Sequence, residues 1–373
     1  MPFNQKDTII VVTSDEPLGK EGNLHQHYVD ILSQTYSLIF VAPPTKWSIR
    51  KLFSMPVVTT VESLQYFNYH NFLPSGFLPR FTCKINDHFN CRIISRLIPS
   101  GKQLIFWKFD STRMISDYPL KPLVTIYHVR DPYFGRFSDK LLAKAANLVV
   151  TVNSAFIPHY EKLNSRVLFV PHGVRMEDTI VDEAVVQRIQ DKFGNFFLMA
   201  GSVNNDLDFE LLIEIVECFP EYTLLLVGTN ALTDVRKKLS FEKLLKLPNV
   251  IYSGVVDYRE LKNYISAAKV CLVAYANNRK NFFRNPIKIT NYLAQLKPIV
   301  NTVEIPELKE LEGKIVFSSS HKLMFIELIR DIIESRIHVD VEFVKSYIRR
   351  NDYRILSNQI LEAAEMSQLP NAK

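Results

Sequence analysis

The chain has 373 residues, which is too long for one ordinary hydrophobic core and predicts two domains of typical size. Hydrophobic residues make up 47% and charged residues 23% of it, as in soluble globular proteins, and no apolar run approaches the ~20 residues that span a bilayer. The N-terminus runs directly into a predicted strand and the four cysteines lack metal-type spacing, so we expect a cytoplasmic protein without a signal peptide or a cysteine-bound metal.

Short apolar runs alternate with helical segments along the chain, which is typical of βα units and parallel sheets. The first half starts with a buried strand and an amphipathic helix, and a basic helix precedes residue 103. The predicted strands of this half are Thr8–Thr13, Ser37–Val41, Val57–Val61, Gln103–Phe106, Leu123–Tyr127, Leu148–Val152 and Val167–Val170, and its other predicted helices are Asn23–Tyr36 and Ser138–Ala146.

The second half repeats this alternation and ends in a helical region from about Ser320. Asp206 and Asp208 have the spacing of a metal-binding pair, but carboxylates at a helix start act as caps, so we expect no metal here. The predicted strands are Asn195–Ala200, Tyr222–Val227, Val250–Tyr252 and Val270–Ala274, and the predicted helices cover about Asp208–Cys218 and Tyr258–Ala268. The fold class is therefore α/β.

The charge is distributed unevenly. Residues 1–175 contain 20 Lys and Arg against 12 Asp and Glu, a net charge of +8, whereas residues 176–373 contain 25 against 27, a net charge of −2. Most of the excess lies between Arg80 and Arg113, where apolar residues are interleaved. Such a face can dock on an anionic membrane surface at roughly 1 kcal/mol per basic residue, and the alternative is an ordinary solvated helix with its apolar residues pointing inward. Nucleic acid is disfavoured because a pI of about 8.9 comes with no binding motif.

The stretch from Asn285 to Val300 predicts a helix start followed by a short strand. Asn285 is a suitable N-cap and Pro286 suits the first helical position. The amides of that helix start, with Ile287 and the charge of Lys288 in its first turn, predict an anion site that suits a diphosphate. The alternative is an amphipathic αβ unit with a solvated lysine.

These residues resemble the donor-binding helix of GT-B glycosyltransferases. The resemblance implies that Lys288 neutralises the phosphates of a nucleotide-sugar and that Asn291 hydrogen-bonds its ribose. Many members have Glu at the positions of Asn291 and Phe283, and both carboxylates are missing from this chain. This departure disfavours the common retaining mechanism and fits better with a subgroup resembling bacterial polysaccharide glucuronosyltransferases.

The resemblance extends beyond one motif. Pro171-His172-Gly173-Val174 resembles the end of the first domain in this superfamily, and the strand before Gly201 and Ser202 resembles the first strand of the donor domain. The segment ending at Gly254 and Val255 resembles the one that contacts the nucleobase, and Arg284 precedes the presumed phosphate helix. The implied architecture has two Rossmann-like domains facing a cleft, with residues 1–175 binding the acceptor, residues 176–345 binding the donor, and a helix in residues 346–373 returning to the first domain.

Glycosyl transfer with inversion needs a base for the acceptor hydroxyl. His128 and Asp131 follow the predicted strand Leu123–Tyr127, and the carboxyl end of such a strand is where catalytic groups collect. This segment resembles the Tyr-x-x-x-Asp segment of the polysaccharide glucuronosyltransferases, which favours Asp131 as base with His128 or Arg130 beside it. The alternatives are a turn-forming Asp before proline and an ordinary loop histidine.

The loop after the first strand is a second candidate. In GT-B enzymes this loop approaches the acceptor, which makes Gly19, Gly22 and His25 candidate contacts. It lacks Gly-x-Gly-x-x-Gly, which argues against a nicotinamide dehydrogenase.

The hypothesis from the sequence is a metal-independent glycosyltransferase without a cofactor. It would transfer a sugar from a nucleotide diphosphate, with a uridine nucleotide suggested by the subgroup, to a lipid-linked glycan during surface polysaccharide biosynthesis, as a cytoplasmic protein peripheral on the inner face of the membrane. The alternatives are a catalytically silent GT-B binding subunit and a nucleotide-sugar epimerase.

Overall fold

The computed structural model describes residues 3–19, 22–48, 56–74, 79–277, 281 and 285–368, and these form two compact units. Unit 1 consists of Met1–Pro171 together with Tyr353–Lys373, and unit 2 consists of His172–Asp352. Throughout the described ranges, every helix is too short or too polar to cross a bilayer.

Unit 1 is built on a sheet that has eight strands among the described residues, in the order β3-β4-β2-β1-β5-β6-β7-β8. The pairing is parallel except in the edge hairpin of β3 and β4. All six residues of the central strand β1 are buried, as expected for a parallel strand covered on both faces. The strands are β1 Thr8–Thr13, β2 Ser37–Val41, β3 Val57–Val61, β4 Leu64–Asn68, β5 Gln103–Lys108, β6 Val124–Val129, β7 Leu148–Thr151 and β8 Val167–Phe169.

The helices of unit 1 include one from the far end of the sequence, α12. It packs against α1, β6 and β7, and the ring of its first residue Tyr353 lies 4.8 Å from that of His27 and 5.2 Å from that of Tyr28. The last helix therefore completes the core of the first unit. These helices are α1 Leu24–Leu32, α2 Pro79–Ser95, α3 Phe137–Ala145, α4 Ile157–Tyr160 and α12 Tyr353–Met366.

Unit 2 has a sheet of six parallel strands among the described residues, in the order β11-β10-β9-β12-β13-β14. The strands are β9 Phe196–Ala200, β10 Thr223–Val227, β11 Val250–Gly254, β12 Val270–Val273, β13 Ile299–Asn301 and β14 Val316–Ser318. The helices are α5 Glu183–Phe193, α6 Phe209–Cys218, α7 Val235–Leu244, α8 Tyr258–Ala267, α9 Lys288–Ala294, α10 Lys322–Ile333 and α11 Val341–Arg350.

In each sheet the strand order reverses beside the first strand of the unit. In unit 1 the chain leaves β1 toward one edge and resumes at β5 on the other side, and in unit 2 the same reversal separates β9 from β12. Ligands of open α/β sheets bind beside such a reversal, at the carboxyl ends of the strands. The two crevices beside β1 and β9 are therefore the places to look for a site.

The structure confirms the alternating βα pattern and corrects several boundaries. β6 continues through Val129, because His128 and Val129 pair with Val150 and Thr151 of β7. His128 therefore lies inside a strand rather than in the loop after it. β4, β14, α4, α5 and α7 were not predicted, whereas the helical region after Ser320 is confirmed as α10, α11 and α12.

Candidate donor and acceptor sites

Three glycines mark the carboxyl edge of the unit 2 sheet. Gly201, Gly228 and Gly254 stand at the ends of β9, β10 and β11, with φ values of 101°, 145° and 69°, a region that L-residues rarely adopt. A Cβ on Gly228 would lie 2.1 Å from the Gly201 carbonyl oxygen. Glycine is required at position 228 because the backbones of two adjacent loops lie too close there for a side chain, whereas the space around the Cβ position of Gly254 is open.

Lys288 lies at the crevice between β9 and β12. A Cβ on Gly201 would lie 3.1 Å from Lys288 Cε and 3.2 Å from Nζ, and Nζ lies 5.3 Å from the ring centroid of Tyr275. Gly201 follows β9 and Tyr275 follows β12, so the ammonium group is held at the reversal of the strand order. The structure thus brings together two of the predicted donor residues, Gly201 and Lys288.

The start of α9 differs from the prediction. The helix begins at Lys288, and Asn285 and Pro286 are neither its N-cap nor its first residue. Ile289 N–H bonds to the Pro286 carbonyl at 3.1 Å and Thr290 N–H to the Ile287 carbonyl at 3.0 Å, so a tight three-residue turn precedes the helix. The Asn285 carbonyl oxygen instead lies 3.0 Å from His172 Nε2. With only seven residues in α9, the Lys288 ammonium group is the main positive charge of the site among the residues that the structure describes.

Asn291 has a neighbour that the sequence did not indicate. The Tyr258 hydroxyl lies 3.2 Å from Asn291 Oδ1 and 2.7 Å from Asp178 Oδ2. Burial raises the pKa of Asp178, and the hydrogen bond from Tyr258 acts in the opposite direction. The cavity bordered by these three residues measures only about 10 Å³, so a ribose would have to meet Asn291 at its solvent-facing side.

Two further predicted donor residues lie along the same edge. Ser202 is partly exposed after Gly201, and Val255 is exposed after Gly254. Arg284 and Phe283 lie outside the described residues.

At the carboxyl edge of unit 1, one guanidinium group joins two strand ends. Arg130, directly after β6, forms ion pairs with Asp15 and Glu16 in the loop after β1, at 3.1 Å for Nη1 to Glu16 Oε2. Its Nε lies 3.3 Å from the Tyr133 hydroxyl and 3.8 Å from Asp131 Oδ2. Burial opposes the charge of Arg130, but Tyr133 and Asp15 outweigh it and hold the pKa of the guanidinium above its ordinary value.

The two predicted base candidates occupy different environments. The Asp131 side chain is 63% exposed, and its Oδ2 lies 3.3 Å from the Tyr133 hydroxyl, so an acceptor hydroxyl can reach it. His128 is 0% exposed, its Nδ1 accepts a hydrogen bond from Trp107 Nε1 at 3.3 Å, and its ring stacks on Phe109 at 4.7 Å. This geometry makes Asp131 the candidate base and places His128 in the aromatic core of unit 1.

The predicted acceptor loop is partly buried. Gly19 is exposed, and its N–H bonds to Gln26 Oε1 at 3.2 Å, whereas Gly22 is buried with φ of 62°. His25 is 0% exposed and stacks on Phe40 at 5.9 Å. Burial and the Arg130 charge lower the pKa of His25 to about 4, so the ring is neutral at pH 7.

A cavity of about 590 Å³ opens at the same edge of unit 1. Arg113, buried against Asp110, donates to the Ala42 carbonyl at 3.0 Å and thereby ties the loops after β2 and β5. Asp87 of α2 accepts from the Met114 and Ile115 amides at 2.9 and 2.8 Å. Sequence reasoning missed this cavity because its walls come from segments far apart in the chain: Asp15, Pro43, Pro44, Tyr69, Asn71, Cys83, Asn86, Asp87, Thr112, Arg113, Ile115, Arg136, Phe137 and Ser138.

Comparison with known proteins identifies the fold. No protein-family model matches the chain. A crystal structure of a UDP-forming trehalose-phosphate synthase from Burkholderia xenovorans superposes with a TM-score of 0.70 over 98% of this chain and 100% of that one, at 11% identity. HepE of Anabaena in complex with UDP and glucose gives 0.70 over 96% and 99%, at 13% identity. The chain has the GT-B fold.

One curated relative adds sequence similarity to this GT-B assignment. TuaH of Bacillus subtilis strain 168, named for a glycosyltransferase role in teichuronic acid biosynthesis, is 26% identical over 199 residues. The match covers 52% of this chain and 49% of TuaH, so it spans about half the length of the relative. A third GT-B structure, a trehalose-6-phosphate protein from E. coli bound with UDP-2-fluoro glucose, gives a TM-score of 0.71 over 96% of this chain and 99% of that one, at 10% identity.

The GT-B assignment confirms the predicted fold class and leaves the metal question a prediction. Within the part of the chain that the structure describes, no group of three or more His, Cys, Asp and Glu side chains could hold a metal ion. Asp208 caps α6 by accepting from the Leu211 amide at 3.0 Å, as its position before the helix predicted.

Proposed function

We propose that this chain is a glycosyltransferase that takes its sugar from a nucleotide diphosphate, with UDP as the expected nucleotide. The observation that carries the proposal is the Lys288 ammonium group at the β9–β12 reversal, beside the glycine backbone of position 201. The named role of the Bacillus relative and the UDP complexes of two structural neighbours support it.

In the proposed mechanism, the carboxyl edge of the unit 2 sheet binds the donor and the carboxyl edge of the unit 1 sheet activates the acceptor. In unit 2, Lys288 neutralises the diphosphate that departs, the glycines admit it closely, Asn291 contacts the ribose, and Gly254 and Val255 border the nucleobase. In unit 1, Asp131 accepts the proton of the attacking acceptor hydroxyl. A lysine charge beside the diphosphate can replace a divalent cation, so the proposal requires neither a metal nor a cofactor.

The substitution Lys288→Ala tests the donor site. Loss of a charge-assisted hydrogen bond to phosphate, worth about 1.5–3 kcal/mol, should weaken UDP binding roughly 10- to 100-fold without unfolding the protein. Isothermal titration calorimetry with UDP measures this, and Lys345→Ala is the control, because Lys345 pairs with Glu342 at 3.1 Å on the surface helix α11. Equal UDP affinity in wild type and Lys288→Ala would refute the donor site.

We extend the proposal to the acceptor, which we place on a lipid carrier in surface polysaccharide biosynthesis. The teichuronic acid role named for the Bacillus relative supports a glycan acceptor, and the net charge of +8 over residues 1–175 supports contact of unit 1 with an anionic membrane surface, at the inner face of the cell membrane. UDP release that requires an added lipid-linked glycan would support this assignment, and turnover of the donor without any acceptor would favour an epimerase instead.

A further inference from the structure

Helix α2 has two chemically different faces. Cys83, Asn86 and Asp87 face the 590 Å³ cavity of unit 1, and Cys91 and Ile94 pack into the core cluster that covers β1, β2 and β5. The opposite face is exposed to solvent. A helix of 17 residues is about 25 Å long, which is a large surface to leave uncovered.

The outer face of α2 combines aromatic rings with positive charge. Phe81 is 62% and Phe89 42% exposed, and Lys84, Arg92 and Arg96 are exposed beside them. The single carboxylate in the α2 sequence, Asp87, is buried on the cavity side, where it accepts backbone amides. No negative side chain of this helix therefore competes with an anion at its outer face.

Two further aromatic residues extend this face. The ring of Phe72 lies 4.7 Å from that of Phe89, and Trp47 Nε1 donates to the Phe72 carbonyl at 3.4 Å. Phe72 is 45% and Trp47 37% exposed. We call the set Trp47, Phe72, Phe81, Lys84, Phe89, Arg92 and Arg96 the α2 surface.

The structure also shows which basic residues between Arg80 and Arg113 are exposed and which are held in ion pairs. Lys108 is buried and pairs with Asp117, and the Arg113 side chain is 12% exposed and pairs with Asp110. Neither reaches the outer surface of α2. Lys84 and Arg92 of α2, and Arg96 directly after it, are exposed on the same face as the aromatic rings.

We propose that the α2 surface docks on the headgroup layer of a bilayer that contains anionic phospholipid. Aromatic rings favour the membrane interface, and lysine and arginine side chains are attracted to the phosphates of anionic lipids. The inference rests on the proposed membrane-bound acceptor and deepens it. The cavity lies on the opposite side of the same helix, about one helix diameter (~10 Å) from the docked face, which is within reach of the polar head of a lipid-linked acceptor.

Trp47 supplies an internal probe for this docking. The chain has two tryptophans, and the other, Trp107, is fully buried in the core of unit 1. Addition of vesicles of phosphatidylcholine with phosphatidylglycerol should shift the emission of the wild type to the blue, and vesicles of phosphatidylcholine alone should not. The shift should disappear in Trp47→Phe and at high salt, since ions screen the attraction.

Substitutions distinguish vesicle binding through the α2 surface from nonspecific binding of the protein to vesicles. The triple variant Lys84→Gln, Arg92→Gln, Arg96→Gln should weaken vesicle binding in flotation roughly 100-fold, and Phe81→Ser with Phe89→Ser should weaken it at unchanged charge. A matched control lies on α7, where Val235 and Leu239 are exposed beside Arg236, Lys238 and Lys243. The equivalent α7 substitutions should leave vesicle binding intact.

The outcomes decide the proposal independently of the donor site. UDP affinity should be unchanged in all α2 variants, so a failed donor site would show in Lys288→Ala and not here. Full vesicle binding by the α2 variants, equal loss in the α7 variants, or binding of RNA in place of vesicles would each overturn the assignment.

Discussion

Arg130 determines how the carboxylates at the edge of unit 1 are arranged. It pairs with Asp15 and Glu16 from the loop after β1 and lies 3.8 Å from Asp131. The first two are held by the guanidinium, whereas Asp131 is the most exposed of the three. A carboxylate that is anchored on one side and open on the other suits proton transfer to an incoming group.

We expect Asp131→Asn to lower kcat by about 10²- to 10⁴-fold, because the amide cannot accept the acceptor proton. UDP release in the presence of acceptor measures the rate, and calorimetry should show unchanged UDP affinity. Glu16→Gln is the control, since it removes a neighbouring carboxylate that also pairs with Arg130. A normal rate in Asp131→Asn together with a large loss in Glu16→Gln would move the base to Glu16.

Single residues differed in how far the sequence could predict them. Lys288 was singled out because its local motif resembles a donor-binding helix, and the structure places it beside Gly201, whereas its contact with phosphate stays a prediction. Asp87 was not predictable, because its partners Met114 and Ile115 lie 27 and 28 residues away. Local patterns indicate residue type, whereas a cavity formed by distant loops depends on the folded chain.

At the scale of elements, the ends of β9, β10 and β11 meet closely. Gly228 N–H donates to the Gly254 carbonyl at 2.8 Å, and the Gly201 N–H donates to the Val227 carbonyl at 2.8 Å. The Tyr252 hydroxyl donates to the Gly228 carbonyl at 2.9 Å. The loops after β9 and β10 therefore leave no room for a side chain at Gly228.

Gly228→Ala should destabilise the protein by about 3 kcal/mol or more, because a positive φ is combined with a Cβ 2.1 Å from a backbone oxygen. Gly313→Ala is the matched control: it has φ of 73° and open space around the Cβ, so about 1 kcal/mol is expected. Urea unfolding followed by circular dichroism measures both. Equal losses would show that the crowding at Gly228 is relieved by a small backbone shift.

The helix and strand boundaries show which ends could be predicted from local sequence and which depend on the folded chain. α6 and α8 were predicted closely, because long periodic segments with capping carboxylates identify their own ends. The start of α9 was wrong, because Asn-Pro is a local cap signal that a tight turn overrode. The length of β6 was wrong because pairing with β7, which no local pattern encodes, extends it over His128.

At the scale of the whole molecule, two buried groups of unit 1 have pKa values shifted in opposite directions, so they change the stability with pH in opposite senses. Burial raises the pKa of Asp87 from 3.8 to about 6, so the folded state retains a proton that the unfolded chain loses, and stability falls as the pH rises through this window. Burial and Arg130 lower the pKa of His25 from 6.5 to about 4, so stability falls as the pH drops through nearly the same window.

We therefore expect these two contributions, each about 3 kcal/mol, to oppose each other between about pH 4 and about pH 6. Asp87→Asn should lose stability more steeply on acidification than wild type, and His25→Gln less steeply. Urea unfolding across this range measures the slopes, which are independent of any constant loss that the substitutions cause. Parallel slopes in all three proteins would contradict the assigned titrations.

The two-unit α/β architecture followed from composition and strand alternation, and the GT-B resemblance added the two Rossmann-like sheets that the structural neighbours confirm. The order of the strands within each sheet could not be predicted from the sequence. β4 is a half-exposed strand of mixed polarity, and its position between β2 and β3 depends on pairings such as Phe40 with Tyr66 that only the folded sheet defines.

The split composition of unit 1 also has a consequence for synthesis on the ribosome. Residues 3–171 emerge first, but Tyr353, which covers His27 and Tyr28, emerges only after all of unit 2. Unit 2 is contiguous in sequence, so it can fold as soon as it leaves the exit tunnel. In the nascent first unit, His27 and Tyr28 lack the ring of Tyr353 until that residue emerges. Chaperones that bind exposed aromatic segments should therefore meet this chain at α1, and release it once α12 has emerged and packed against α1.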